Sequence, residues 1–234
     1  MTKPLTPLIF LSGMMCDARI FAPQIAALAG DRVITTPTIT AHASVQELAA
    51  EILANAPPEF ALAGLSMGGI VAMEVVAQAP DRVDRLALLD TNPRAETPEV
   101  AARRAPQIEA VKSGQLQDVM RKQMMPFYLA DASAHPEIIN LCWDMAEALG
   151  TDVFARQSLA LRDRPDQQET LRNYHGKSLV LCGEHDRLCP LERHQLMHDL
   201  LPDSTLEIIP NTGHLPTLEQ PTPTTAALAR WLEA

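Results

Sequence analysis

The 234-residue sequence predicts one α/β domain, a mostly parallel sheet of about six strands with helices on both faces, interrupted by an inserted helical segment. Three observations carry this expectation. Short, almost wholly apolar runs that end in turn residues recur along the chain; helical stripes alternate with them; and the alternation stops between Arg94 and Arg172. Runs that are apolar on both faces suit buried parallel strands, and parallel neighbours need crossover helices between them.

The first run is Leu8 to Leu11, and a weaker one follows at Val33 to Thr36. Ser44 and Glu47 form an S-x-x-E capping box ahead of the stripe Val45, Leu48, Ala49 and Ile52, which marks a helix. Ala61 to Gly64 is the next strand. The helix after it runs to about Ala79 and is apolar except for Glu74 and Gln78, which are spaced i, i+4 and should form its one water-facing stripe. Leu86 to Asp90 follows. Over 94–172 no strand is evident, and Pro98, Pro106, Pro126, Pro136 and Pro165 cut the segment into short pieces. The expected division is a core of 1–93 and 173–234 with a helical cap at 94–172. Leu179 to Gly183 and the weaker Leu206 to Ile209 resume the sheet, and Thr222 with Pro223 opens a last helix whose buried face is Leu228, Trp231 and Leu232.

Composition narrows the partners. Apolar residues make up 47% and charged residues 21%, an ordinary globular balance. A formal net charge of -10 without a dense Lys/Arg cluster argues against nucleic acid and anionic membrane surfaces as partners. The stretch Met1 to Leu11 lacks a signal-like apolar core, and no apolar run approaches the roughly 18 residues of a membrane span. Cys16, Cys142, Cys182 and Cys189 form no C-x-x-C pair, so reduced thiols and a cytoplasmic location are expected. Monomer and small homo-oligomer remain open. The insertion carries 12 Asp/Glu against 10 Lys/Arg, so it is not expected to be an anion-attracting cover.

The strongest local chemistry lies in Gly64-Leu65-Ser66-Met67-Gly68-Gly69, where strand, G-x-S-x-G and helix occur in the order of a nucleophile elbow. Small residues two before and two after the serine let strand and helix pass closely and project the hydroxyl. A serine hydroxyl needs an imidazole held by a carboxylate. His214, in the Gly-flanked loop after the last predicted strand, is the expected base. Asp186, just past the C-terminal end of the preceding strand, is the expected orienting acid, with Glu184 nearby and Asp90 at the end of an adjacent strand as alternatives. Backbone N–H groups of Met67 and Met14 are the expected oxyanion donors. In the insertion, Met124, Phe127, Tyr128 and Trp143 could line a substrate pocket or fill the insertion's own core, and Leu215 beside the base is a further expected contact.

On Gly64 to Gly69, on Gly183-Glu184-His185-Asp186 with Pro190, and on Gly213-His214 with Glu219 and Pro221, the chain resembles the α/β-hydrolase superfamily, in its serine esterase-like branch with a helical cap. The resemblance implies the Ser66 elbow at the sheet centre and a cap after Asp90. Two departures stand out. Ser12-Gly13 replaces the family's usual His-Gly, and the leading hairpin of strands is missing. Ser66 rather than Asp at the elbow implies a covalent acyl-enzyme, as distinct from dehalogenases and epoxide hydrolases of the same family.

The function expected is hydrolysis of small to medium uncharged acyl esters, a small-molecule substrate class, with no cofactor and no metal. Thioester, lactone and C–C bond hydrolysis share the triad, and a slow-turnover ligand receptor is the alternative from a different class. His194 and His198, spaced i, i+4, have a zinc-compatible spacing, but Gln195 stands where a metalloprotease has Glu. Cys182 and Cys189 read as packing residues.

Overall fold

Four apolar runs and two weaker ones become, among the described residues, six strands of one sheet, and every pairing between them is parallel: β1 (Leu8–Leu11), β2 (Ile34–Thr35), β3 (Phe60–Leu65), β4 (Val83–Leu89), β5 (Lys177–Gly183) and β6 (Ser204–Ile209), in the order β2-β1-β3-β4-β5-β6. The computed structural model describes residues 5–30 and 32–234. The first four residues of the stretch Met1 to Leu11 therefore lie outside the described residues.

β1 and β3 are buried along their whole length, as strands covered on both faces must be. β4 starts three residues before its apolar run. Asp84 and Arg85 are only half-buried there, and Arg85 donates to the Trp231 and Leu232 carbonyls. That anchorage lets a charged residue sit within a strand.

The crossovers are α1 (Ala22–Leu28), α2 (Val45–Asn55) and α3 (Met67–Gln78). Ser44 caps α2, accepting from the Glu47 N–H at 3.2 Å and donating its hydroxyl to the Glu47 carboxylate. α3 packs on β1, β3 and β4 with α2 beside it. Its Glu74 is buried, contrary to the expectation of a water-facing stripe. Gln78 and Gln167 donate to its two carboxylate oxygens at 3.0 and 2.6 Å, so the side chain is covered yet fully partnered.

Between β4 and β5 the described residues form only helices: α4 (Pro98–Ala110), a π-helical stretch containing α5 (Leu116–Asp118), α6 (Pro136–Arg162), which is interrupted at Gly150, and α7 (Gln168–Asn173). The prolines act differently from the expectation of uniform breaks. Pro98 and Pro136 open helices, where the missing N–H costs nothing, whereas Pro106 lies inside α4. α7 packs against α3 and, after β5, against α8 (Leu191–Leu200).

α9 (Pro216–Glu219) and α10 (Pro221–Glu233) close the chain, with α10 packed on β4, β5 and β6 and against α1. α10 begins at Pro221, just before the Thr222-Pro223 signal, and adds Thr224 and Ala227 to the expected buried face. No helix among the described residues is long and apolar enough to cross a membrane.

Candidate active site

Among the described residues four non-glycines have positive φ, and each follows the C-terminal end of a strand: Met15 after β1, Ser66 after β3, Asp90 after β4 and Asn211 after β6. Strain of this kind persists only where the surroundings over-determine it, and here it collects along the edge where parallel sheets present functional groups.

Ser66 has φ 54° and ψ -115° and separates β3 from α3. The turn is possible because nothing larger than hydrogen fits at its flanks. A Cβ on Gly64 would lie 2.3 Å from the Gly68 carbonyl oxygen, and one on Gly68 would lie 2.0 Å from that of Leu11. Helix and strands therefore approach closely enough for the Ser66 hydroxyl to project from the sheet edge.

His214 Nε2 lies 2.9 Å from Ser66 Oγ, and His214 Nδ1 lies 2.8 Å from Asp186 Oδ2. His214 and Asp186 are buried. The other oxygen of Asp186 accepts from the Leu188 and Cys189 N–H groups at 2.8 and 3.0 Å, which locks the carboxylate plane. Burial opposes ionisation of Asp186, yet attraction to the His214 ring and these N–H donors outweigh it and hold the carboxyl below its ordinary range.

The alternative acids face elsewhere. Glu184 accepts from the Asn211 N–H. Asp90 accepts from the Gly183 N–H at 2.8 Å, and burial together with the nearby Asp186 charge pushes its carboxyl well above the ordinary value. Burial and the neighbouring carboxylate thus both favour the neutral form of Asp90.

Met67 opens α3, and N–H groups in a first helical turn have no intrahelical acceptor. Across from it, the loop after β1 runs against the serine: a Cβ on Gly13 would sit 3.6 Å from Ser66 Cβ. Met14 and Met67 both line the cavity at Ser66. Gln157 of α6 holds this loop. It is fully buried, accepts from the Met15 N–H at 2.9 Å and donates to the Ile39 carbonyl at 3.0 Å. Sequence reasoning missed Gln157, since a lone amide within a helix carries no local signal.

Glu219 was noted only as part of the family pattern. Its carboxylate accepts from the Gly213 N–H and from the Ala130 N–H, the latter at 2.9 Å, while the His214 N–H donates to the Tyr128 carbonyl at 2.7 Å. Burial pushes the Glu219 carboxyl up. Two segments far apart in sequence, 128–130 and 213–214, are joined through these bonds.

The cavity above Ser66 has a volume of about 540 Å³. Met124, Phe127, Tyr128 and Leu215 line it together with Ser66 and His214. Trp143 does not. Its ring faces the Arg121 guanidinium at 5.4 Å and packs against the hydrophobic core. Asp186, Cys189 and His214 bring ligand atoms within 4.8 Å of one another, but the nearest pair of these is the Asp186–His214 hydrogen bond. His194 is buried, accepts from the Thr91 N–H at 3.2 Å and is pushed down to about 4 by burial; His198 bonds Ser204. His194 thus sits in the core, whereas His198 is half-buried beside β6. Burial raises the thiols of Cys182, to about 12, and of Cys189.

The chain is similar to several known proteins. A bifunctional biotin biosynthesis protein of Teredinibacter turnerae is 23% identical over 92% of this chain, and an sn-1-specific diacylglycerol lipase of Mus musculus is 29% identical over 65%. The chain spans 42% and 52% of their respective lengths, about half. Pimeloyl-[acyl-carrier protein] methyl ester esterase of Salmonella agona is 26% identical over 76% of this chain and 72% of its own. Among solved structures, a thermophilic esterase from Thermogutta terrifontis superposes with a TM-score of 0.89 at 27% identity, covering 99% of this chain and 91% of that one. An enol-lactonase from Burkholderia xenovorans LB400, with a TM-score of 0.85 at 20% identity over 98% of this chain and 92% of its own, shares the fold. The model of the alpha/beta hydrolase family matches residues 8–228, nearly the whole chain, and the protein belongs to that family.

Proposed function

We propose that this protein is a serine hydrolase of carboxylic esters, with Ser66 as nucleophile, His214 as general base and Asp186 as the acid that orients it. The observation that carries the proposal is the continuous relay from Ser66 Oγ through both ring nitrogens of His214 to Asp186, at 2.9 and 2.8 Å.

In acylation, Ser66 Oγ attacks the substrate carbonyl while His214 Nε2 takes the hydroxyl proton. The Nδ1–H donates to Asp186, which fixes the tautomer and stabilises the imidazolium as it forms. Negative charge moves onto the carbonyl oxygen and is met by the N–H groups of Met67 and Met14. His214 then returns the proton to the leaving alkoxide, and the acyl group remains on Ser66. Water, deprotonated by the same nitrogen, attacks the acyl carbon; the acyl–Oγ bond breaks, His214 passes the proton to Ser66 Oγ, and the acid leaves.

The segment 94–172 acts in this proposal as a cap, supplying Met124, Phe127 and Tyr128 to the cavity wall. A reducing, cytoplasmic location fits the four cysteines, all of them free. The test is turnover of p-nitrophenyl butyrate by the wild type and by Ser66→Ala. Hydrolysis abolished in the variant supports the proposal; equal hydrolysis by both proteins refutes it.

A further inference from the structure

The cavity at Ser66 has an unexpected charge. Its wall carries six arginines, Arg94, Arg103, Arg104, Arg164, Arg187 and Arg193, against a single acidic residue, Glu96, in a chain whose net charge is -10. Glu96 is shared by two of them. It pairs with Arg104 and, at 2.7 Å, with Arg164, whose Nε also donates to the Arg94 carbonyl. One carboxylate between two guanidiniums leaves an uncompensated positive charge at a partly buried site.

The other four have no carboxylate partner among the described residues. Arg187 is pinned by the Pro126 and Leu129 carbonyls and lies over the Phe127 ring; Arg193 donates to the Leu188 carbonyl. Arg94 and Arg103 are exposed at the edge of the cavity. The acidic residue nearest the reaction, Asp186, is occupied by His214. Nearer Ser66 the wall is apolar, with Met14, Leu65, Ile70 and Leu215.

We infer that the substrate is an anionic ester or thioester, carrying a carboxylate or phosphate away from the scissile bond that the arginines of the cavity bind. This inference rests on the serine hydrolase proposal for the same site. It also replaces the expectation of an uncharged acyl group. Guanidinium groups suit this task because they stay charged and present paired donors to planar or tetrahedral oxyanions. The near balance of 12 acids and 10 bases over 94–172 concealed the charge, since a count over a segment ignores which side each residue faces.

The experiment uses two matched pairs. p-Nitrophenyl hemiglutarate is compared with its neutral glutaramate isostere, and S-butyryl-4′-phosphopantetheine with S-butyryl-pantetheine. In at least one pair the charged member should have the higher kcat/KM by about tenfold or more, as expected for charge-assisted hydrogen bonds, and the advantage should shrink in about 0.5 M NaCl. Preference within the first pair places the anion on the acyl group, and preference within the second on the leaving group. In the Arg94→Gln/Arg103→Gln variant the ratio should fall severalfold towards one. Equal kcat/KM in both pairs, or a ratio the variant leaves intact, overturns the inference. Binding to the Ser66→Ala protein separates it from the hydrolase proposal, because the arginines are needed and turnover is not. By calorimetry, either glutarate should bind more tightly than its diamide or 4′-phosphopantetheine more tightly than pantetheine, and indifference to charge in both comparisons overturns the inference even if p-nitrophenyl butyrate is never hydrolysed.

Discussion

Replacing Gln157 by Leu tests how α6 bears on the proposed chemistry at Ser66. The substitution is nearly isosteric, so it opens little space, but it strips partners from two buried backbone groups, the Met15 N–H and the Ile39 carbonyl. An orphaned buried group costs about 1–3 kcal/mol, so the pair should cost about 2–6 kcal/mol of stability, less whatever water recovers. The kinetic effect has a separate origin. Met15 is held at φ 55°, a conformation that costs a non-glycine residue about 1–2 kcal/mol, and the Gln157 bond is what restrains it. Once released, the loop should relax and carry the adjacent Met14 N–H away from the oxyanion. Loss of one oxyanion donor lowers kcat by about 10²–10³, which sets the ceiling, and a fall of at least about tenfold is expected. The assay is p-nitrophenyl butyrate hydrolysis normalised to active sites titrated with a fluorophosphonate, alongside urea denaturation, so that unfolding is not mistaken for slow chemistry. A normalised kcat within about twofold of wild type, in a protein destabilised as expected, would refute the link between Gln157 and the oxyanion loop.

Asp186→Asn should lower kcat by about 10³–10⁴ through loss of the imidazole tautomer, whereas Asp90→Asn, which does not touch His214, should cost far less; the reverse ranking would move the acid to Asp90. A fluorophosphonate should label the protein once, and a mass-spectrometric adduct anywhere but Ser66 refutes the nucleophile. Chelators should leave p-nitrophenyl butyrate hydrolysis unchanged, and a loss to EDTA that zinc restores would overturn the metal-free mechanism. Asp90 also predicts a pH effect on stability. Its folded carboxyl titrates above the ordinary value, so the folded state retains a proton that the unfolded chain releases above about pH 4, and stability falls as pH rises from there through the raised value. Asp90→Asn lacks that titration, and its urea midpoint relative to wild type should climb between about pH 4 and pH 8; a constant difference would contradict the assignment.

The sheet was legible because its central strands are covered on both faces, which leaves runs such as Leu8 to Leu11 with no polar interruption. Legibility stopped where a polar side chain was satisfied by something distant in sequence. Arg85 hid the start of β4 because its acceptors lie in α10, and Glu74 read as exposed because Gln167 covers it from the far end of the insertion. Ser66, Asp186 and His214 were legible for a different reason: each follows a strand in a local turn, and turns leave glycines in the sequence. Gln157 needs no turn and left no trace. The wall of arginines escaped notice because it is assembled from the loop after β4, α4, the loop after α6, the loop after β5 and α8.

The junction between the insertion and the base loop has a consequence for protein engineering. On the side of segment 94–172 its hydrogen bonds use the Tyr128 carbonyl and the Ala130 N–H, groups that every residue other than proline supplies, and one side chain joins them, the Tyr128 ring 6.3 Å from that of His214. A foreign segment could therefore be spliced in by keeping that one ring, provided its backbone follows the same path past Gly213 and His214. Helices grafted above that point would change what the protein accepts, while the seam would keep the imidazole aimed at the serine.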